Sequence, residues 1–367
     1  MSPMTMVSPD ELLNVADLTV EFRTYRGLVK AVEGVDFDIR RQEIVGLIGE
    51  TGCGKTVTGY SLLRLIRSPG RITRGQIVFQ GRDLLAMKES EVRAIRGREI
   101  AMIFQRPMSS LNPVFAVGTQ LVDVIRLHKT PNKRRAREIA VRSLEEVALP
   151  EPQSIMLKRP FALSGGMQQR VMIAMALACE ASLLVADEPT TALDVSIQLQ
   201  ILKLMRKFVE NGRMAVLLIS HDMSVIGSMC DRMNVMYAGG IVESGPKEAI
   251  IDHPAHPYTK ALLQAVPEMS HDRTQRLRAI EGTVPSLIHL PEGCRFAPRC
   301  SWASEKCTRV FPPRVLLGQD HYVSCHLYGK EALIQAVGRS SESPGAGYPP
   351  AEWACFSRIG RRGTDAQ

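Results

Sequence analysis

Glu43-Ile44-Val45-Gly46-Leu47-Ile48-Gly49-Glu50-Thr51-Gly52-Cys53-Gly54-Lys55-Thr56 is an apolar run that ends in a glycine-rich loop. A short continuous apolar run of this kind has the pattern of a strand buried on both faces. Helical spacing follows from about Gly54 through Leu62, Leu63 and Leu65, and stops near Ser68-Pro69-Gly70. In such a strand, loop and helix, the glycines allow tight turns and let the main chain approach an anion closely, so the amides of Gly49, Glu50, Thr51, Gly52, Cys53 and Gly54 can turn inward onto phosphate. Lys55 then meets the β and γ phosphates, Thr56 offers a hydroxyl to Mg²⁺, and the helix turns its positive end to the anion. The stretch predicts a nucleoside triphosphate site with ATP and Mg²⁺ as its ligands.

Two carboxylates stand at the tip of a second buried strand, Leu183-Leu184-Val185-Ala186-Asp187-Glu188, followed by Pro189. Alone, such a pair is often a helix cap. Downstream of a phosphate loop, Asp187 is expected to hold Mg²⁺ through water, and Glu188 to polarise the attacking water for in-line transfer. Gln105 ends the strand Ile100 to Phe104 and His221 follows the strand Ala215 to Ile219, so both belong to the candidate catalytic set, with Thr56, Gln105 and Asp187 as candidate Mg²⁺ ligands. In Leu163-Ser164-Gly165-Gly166 a serine caps a helix whose first amides are left bare by two glycines, an anion site with no lysine of its own. A helical insert separates it from the phosphate loop along the chain. The expected solution is a head-to-tail dimer in which this helix end completes the partner's ATP site.

Around these motifs the order of strands and helices predicts an α/β fold with a three-layer core. Leu18 to Phe22 and Val35 to Ile39 alternate at period two and begin an antiparallel β subdomain, with a further strand at Gln76 to Gln80. Between residues 107 and 165 helical periods dominate, including Gln120 to Leu127 and Lys133 to Val147, and this stretch is read as an inserted helical subdomain. Alternation then resumes with a helix from Gly166 to Ala178, a helix from Ser196 to Phe208 and a hairpin across Met236 to Val242. Residues 1–268 form the expected nucleotide-binding domain, 269–330 a small Cys-rich C-terminal module and 331–367 a Ser-, Gly-, Pro- and Arg-rich disordered tail.

Composition narrows the class further. The chain has 367 residues and a formal net charge of +8, with Lys and Arg dispersed among acids, so charge is weak evidence for nucleic acid or an anionic membrane. No run of eighteen apolar residues occurs and the first residues lack a signal pattern, which predicts a cytosolic chain that does not itself cross a membrane. Of 8 cysteines, Cys294, Cys300, Cys307 and Cys325 cluster, with five, six and seventeen residues between them. In a cytosolic chain that favours metal ligation over disulfides. The spacing lacks Cys-x-x-Cys pairs and does not choose between zinc and iron-sulfur.

The order of motifs resembles an ATP-binding cassette, the nucleotide-binding subunit of an ABC transporter, over about Leu12 to Leu263. The resemblance makes Gln105 the Q-loop residue, Leu163 to Gln168 the signature, Ala192-Leu193-Asp194 the D-loop, and His221 the switch that reaches the γ phosphate. It implies that Tyr25 stacks on adenine, with Phe22 as a competitor, and adds Asp194 to the nucleotide-binding residues. Closer still is the oligopeptide and dipeptide importer branch, through Met102-Ile103-Phe104-Gln105, Pro107, Ser110-Leu111-Asn112-Pro113, Met167 in the signature, His256-Pro257-Tyr258-Thr259, and Gly293-Cys294-Arg295-Phe296-Ala297-Pro298-Arg299-Cys300. Arg106 departs from the branch, which carries Asp or Glu there.

From this resemblance follow a second, distinct ATPase subunit, two transmembrane permeases and an extracytoplasmic solute-binding protein as partners. It also implies a peripheral position on the cytoplasmic face of the inner membrane, and a four-iron four-sulfur cluster on the four cysteines. Di- or oligopeptides are the expected cargo, with nickel or another small solute as the alternative. A soluble cassette ATPase acting on nucleic acid or ribosomes is the competing class. Such proteins carry two cassettes, long coiled coils or large inserted zinc modules, none of which this sequence has, so no nucleic-acid partner is expected.

Overall fold

The computed structural model describes residues 10–105, 111–190, 193–265 and 280–328. Arg106, the D-loop residue Ala192 and the tail from 331 onward lie outside them. The chain opens with a long hairpin of β1 (Glu11–Thr24) and β2 (Gly27–Arg40) joined by Tyr25 and Arg26. These strands extend well past the two alternating stretches in the sequence. Register shifts between Val15 and Leu18 and between Leu18 and Val20 interrupt the period-two pattern, which hides the continuity of β1. With β4 (Gly70–Phe79) and β5 (Arg82–Asp83) they form a four-stranded antiparallel sheet, order β2-β1-β4-β5.

The second sheet has eight strands. It is built from β3 (Ile44–Ile48), β6 (Ile100–Ile103), β7 (Leu183–Asp187), β8 (Ala215–Ser220), β9 (Arg232–Tyr237), β10 (Gly240–Pro246), β11 (Arg314–Gly318) and β12 (His321–Ser324), in the order β11-β12-β10-β9-β3-β8-β7-β6. β9, β3, β8, β7 and β6 run parallel, whereas β10, β12 and β11 continue the sheet antiparallel. Every residue of β3, β7 and β8 is buried, as a parallel strand covered on both faces requires.

Alternation decides which layer each side chain enters. Ile44, Ile48, Leu184, Ala186, Val216 and Leu218 face one core. Val45, Leu47, Leu183, Val185, Leu217 and Ile219 face the other, which they share with the antiparallel sheet and with Leu62 of α1 (Lys55–Leu62). The first core lies under the helical side: α2 (Glu89–Ile95) stands apart from it, while α3 (Val117–His128), α4 (Lys133–Glu146), α5 (Pro152–Leu157), α6 (Gly165–Ala178) and α7 (Val195–Glu210) contribute to it. In α3 the buried Val117, Leu121, Val122 and Ile125 mark one helical face. The fold is thus a mixed α/β cassette with an antiparallel β subdomain and a helical region.

Several elements differ from the sequence reading. Helix α1 ends at Leu62, not near Ser68, because Arg64 takes a left-handed backbone (φ 50°) that no helix can continue. Helices α8 (Met223–Met229), α9 (Lys247–Asp252), α10 (Pro257–Gln264) and α11 (Glu305–Arg309) are too short to show a period in the sequence. The Cys-containing stretch, in which the sequence reading named no strand, contributes the β11–β12 hairpin. It pairs onto the main sheet through Glu243 opposite Val323 and Ser244 opposite Tyr322.

Candidate functional site

The parallel strands deliver the predicted residues to one edge of the sheet. After β3 the loop Gly49 to Gly54 closes tightly. At Gly54 the backbone is left-handed (φ 108°), and any side chain would collide with the Ala31 carbonyl and the Met236 side chain. Only glycine satisfies both demands. Gly52 at the tip has open space around it, and Thr51 and Gly52 are exposed. Lys55 is buried and its Nζ donates to the carbonyls of Gly49 (2.6 Å) and Glu50 (3.1 Å), so the ammonium is folded over the loop where the phosphates would lie. Cys53 is fully buried and burial pushes its thiol up, which makes it a packing residue, not a nucleophile.

Thr56 and Asp187 meet across the site. The Thr56 hydroxyl donates to Asp187 Oδ1 at 3.2 Å, while Asp187 Oδ2 is buried without a hydrogen-bond partner among the described residues. Burial, aided by the neighbouring Glu188 charge, pushes the Asp187 carboxyl up to about 6 against the lowering effect of Thr56 and Lys55. A buried carboxylate oxygen with no donor, beside a hydroxyl, is a site that a hard cation completes. Mg²⁺ fits this donor set.

Glu188 is held from two sides. Gln105 Nε2 donates to its Oε2 at 2.8 Å, and His221 Nδ1 donates to its Oε1 at 2.8 Å. Burial raises its pKa, but the hydrogen bonds from His221 and Gln105 outweigh it and keep the carboxyl below its ordinary value. The backbone there is left-handed (φ 48°) and its N–H donates to Ile219 O at 2.9 Å, which turns the side chain off the end of β7. A non-glycine residue in that region costs about 1–3 kcal/mol and marks a functional turn. The sequence set Gln105, Asp187, Glu188, His221, Lys55 and Thr56 is therefore one cluster in space.

The remaining predicted residues sit apart from that cluster. Ser164 caps α6, its Oγ accepting from Met167 N at 3.3 Å, and Gly165 has no neighbour where a side chain would stand. With Gly166 beside it, the open helix end has the form of an anion site. Asp194 caps α7 by accepting from Ile197 N at 3.0 Å. Tyr25 lies at the β1–β2 turn, 92% exposed with Arg26 stacked on its ring, and is free of the core. Phe22, its competitor for the adenine, is partly buried and packed against the core beside Gly70.

Sequence reasoning missed three residues that support the site. Tyr258 Oη accepts the Glu50 N–H at 2.9 Å, and Arg299 holds the Glu50 carboxylate with two hydrogen bonds of 2.7 and 3.1 Å. Gln169, one turn into α6, donates to the carbonyl of Pro189 beside Glu188. Tyr258 and Arg299 stand in quoted motifs, but nothing in a linear sequence says that they reach back more than two hundred residues. The four cysteines line one cavity of about 20 Å³ together with His256 and Phe296. Among the described residues no three His, Cys, Asp or Glu side chains are already spaced to hold a metal.

Comparison with known proteins agrees with this geometry. Residues 32–191 match the family described as ABC transporter, and residues 242–307 match the oligopeptide/dipeptide transporter C-terminal region. The chain is 48% identical over 324 residues to a probable D,D-dipeptide transport ATP-binding protein of Escherichia coli, covering 88% of this chain and 98% of that one. It is 43% identical to an oligopeptide transport ATP-binding protein of Bacillus subtilis over 89% of this chain and 92% of that one. Among solved structures, a dimeric ATP-binding cassette in a post-hydrolysis state bound to ADP and phosphate is similar, with TM-score 0.59 and 25% identity, over 64% of this chain and 99% of that chain.

Proposed function

This chain belongs to the ABC transporter family, in its oligopeptide/dipeptide importer branch, and from that premise we propose how its site works. It is the ATPase subunit of a di- or oligopeptide ABC importer. ATP lies along the Gly49 to Thr56 loop, with Lys55 turning from the loop carbonyls to the β and γ phosphates. Thr56 and Asp187, with Gln105, would hold Mg²⁺, which would supply positive charge to neutralise the charge that develops on the phosphates. Glu188 orients and deprotonates the attacking water, while Gln105 and His221 keep its carboxylate ionised and aimed. Tyr25 stacks on adenine from its exposed turn.

One observation carries the catalytic assignment: the Glu188 carboxylate is held on each oxygen by a different motif residue, directly after the cation-binding Asp187. Glu188→Gln should bind ATP normally and lose about 10²–10⁴-fold in hydrolysis. Turnover near the normal rate would assign the base elsewhere.

The open helix end at Ser164-Gly165-Gly166 supports a head-to-tail dimer, with Asp194 at the cap of α7 as a further nucleotide-binding residue, and the branch supports a second, distinct ATPase subunit. Two permeases above it and an extracytoplasmic binding protein complete the assembly, and the chain sits peripherally on the cytoplasmic face. Among the described residues no helix is long and apolar enough to cross a membrane. The permeases dock on the helical region, where Leu157 and Phe161 are exposed.

We assign Cys294, Cys300, Cys307 and Cys325 as ligands of a metal centre in the C-terminal module. Convergence of four thiols on one cavity supports this, and the donor set suits either a four-iron four-sulfur cluster or zinc. Iron and sulfide with a brown colour in anaerobically purified protein, lost in Cys300→Ser, identify the cluster; one zinc per chain identifies the smaller ion.

A further inference from the structure

Two residues outside the nucleotide motifs fix the start of the phosphate-binding loop. Tyr258, on α10, is completely buried, and its hydroxyl takes the Glu50 N–H at 2.9 Å. Arg299 comes from the C-terminal segment and its side chain is 3% exposed. All five of its N–H groups are used: Nε donates to Glu281 O, Nη1 to Glu50 Oε2 and Tyr237 Oη, and Nη2 to Glu50 Oε1 and Ile280 O. Its guanidinium also lies over the rings of Tyr237 and Phe296. A fork fixed by that many partners is a rigid support, and a bidentate guanidinium–carboxylate pair sets direction as well as charge.

The loop depends on what happens at Glu50. The Glu50 carbonyl is one of the two that hold Lys55 Nζ, the group that meets the phosphates. Beyond Glu50 the loop tip stands open, with Thr51 and Gly52 exposed and no described atom near the place of a Gly52 side chain. The glycines that let the loop wrap phosphate also let it wander, so ordering it must come from its ends. The Glu50 carboxylate is moreover a negative charge on the phosphate-binding loop itself, and Arg299 is the cation that pairs with it.

We infer that Arg299 and Tyr258 are positioning residues for ATP: through Glu50 they preorganise the phosphate-binding loop and cancel a carboxylate that would otherwise repel the nucleotide. The affinity of the cassette for ATP is thereby set in part by its C-terminal segment. This holds whichever metal the neighbouring cysteines take.

Full-length wild type, Arg299→Gln, Glu50→Gln and the double variant should be compared for binding of a fluorescent ATP analogue with Mg²⁺, and for KM and kcat of hydrolysis in the assembled importer. Arg299→Gln is expected to raise Kd and KM about tenfold, the effect of one charge-assisted pair, with kcat changed less than about twofold. The double variant should recover most of that loss, because the unmasked carboxylate has gone. A merely structural role would instead lower the melting temperature and the active fraction, and so kcat, at unchanged KM; that result overturns the inference. So does a double variant that binds no better than Arg299→Gln. If Arg299→Gln does not fold, Tyr258→Phe carries the test: it keeps the buried ring but loses the hydroxyl that takes the Glu50 N–H, and an unchanged KM there rejects the proposal.

Discussion

Asp187 and Glu188 are adjacent in the chain, yet the structure drives their protonation in opposite directions. Asp187 is completely inaccessible and one of its oxygens has no donor among the described residues, so desolvation dominates and its carboxyl rises from 3.8 to about 6. Glu188 also pays for burial, but two hydrogen bonds hold its charge. A carboxyl whose folded pKa exceeds its unfolded value contributes stability at low pH, and that stability is lost as pH rises from about 4 through about 6. At neutral pH ionised Asp187 is thus a cost on the order of 3 kcal/mol in the absence of a cation. We predict that Asp187→Asn, which keeps an acceptor for the Thr56 hydroxyl, raises the melting temperature of nucleotide-free protein at pH 7 and narrows that gain at pH 4. The same variant should lose Mg²⁺-dependent hydrolysis. Equal melting temperatures at pH 7 would mean that the carboxylate is not strained. The pair of acids at a strand tip was legible in the sequence because an apolar run ends there; the orphaned oxygen was not, since it depends on what packs over it.

Among the elements, α10 best shows a helix whose start is tuned by burial. His256 is its N-cap: Nδ1 accepts from Tyr258 N at 3.0 Å, which leaves the proton on Nε2, an atom buried without a partner among the described residues. Burial, with a smaller contribution from Lys260, depresses this imidazole to about 3. The unfolded chain then binds a proton that the folded one refuses between about 6.5 and 3. The resulting stability is complete above pH 6.5 and falls on acidification by about 1.4 kcal/mol per pH unit. His256→Asn keeps the capping acceptor and removes the titration. The difference in unfolding free energy between wild type and variant should therefore shift in favour of the variant by roughly that amount per pH unit from pH 6.5 to 5; parallel pH profiles would refute it. His256 was visible in the sequence only as part of the His256-Pro257-Tyr258-Thr259 motif, not as a buried cap, because a single-residue cap on an eight-residue helix carries no period.

At the scale of the molecule, Arg232 ties the antiparallel sheet to the main one. From β9 it reaches Asp38 on β2 with two hydrogen bonds of 2.8 Å and also approaches Glu43 just before β3. Its side chain is 16% exposed and Glu43 only 9%. Replacing one partner leaves the others charged and half-desolvated, so Arg232→Ala should destabilise by about 2–4 kcal/mol, a range reduced from that of fully buried pairs because Asp38 is partly solvated. Chemical denaturation of the full chain measures it, and a loss under about 1 kcal/mol would show that the sheets hold by apolar packing alone.

The sequence by itself determined the phosphate loop, the acidic strand tip and the apolar runs of the core strands, which rest on local rules of turn geometry, capping and hydrophobic pattern acting over a few residues. The resemblance to the family supplied the roles expected of Gln105 and His221. Tertiary structure alone decided that the β11–β12 hairpin extends the main sheet, that Phe22 packs against the core while Tyr25 stays exposed, and that Arg299 and Tyr258 support Glu50. Each of those is a contact between distant segments, and a long-range pair leaves no period, spacing or cap in the chain that contains it; only the packing of both segments against one core brings it into being.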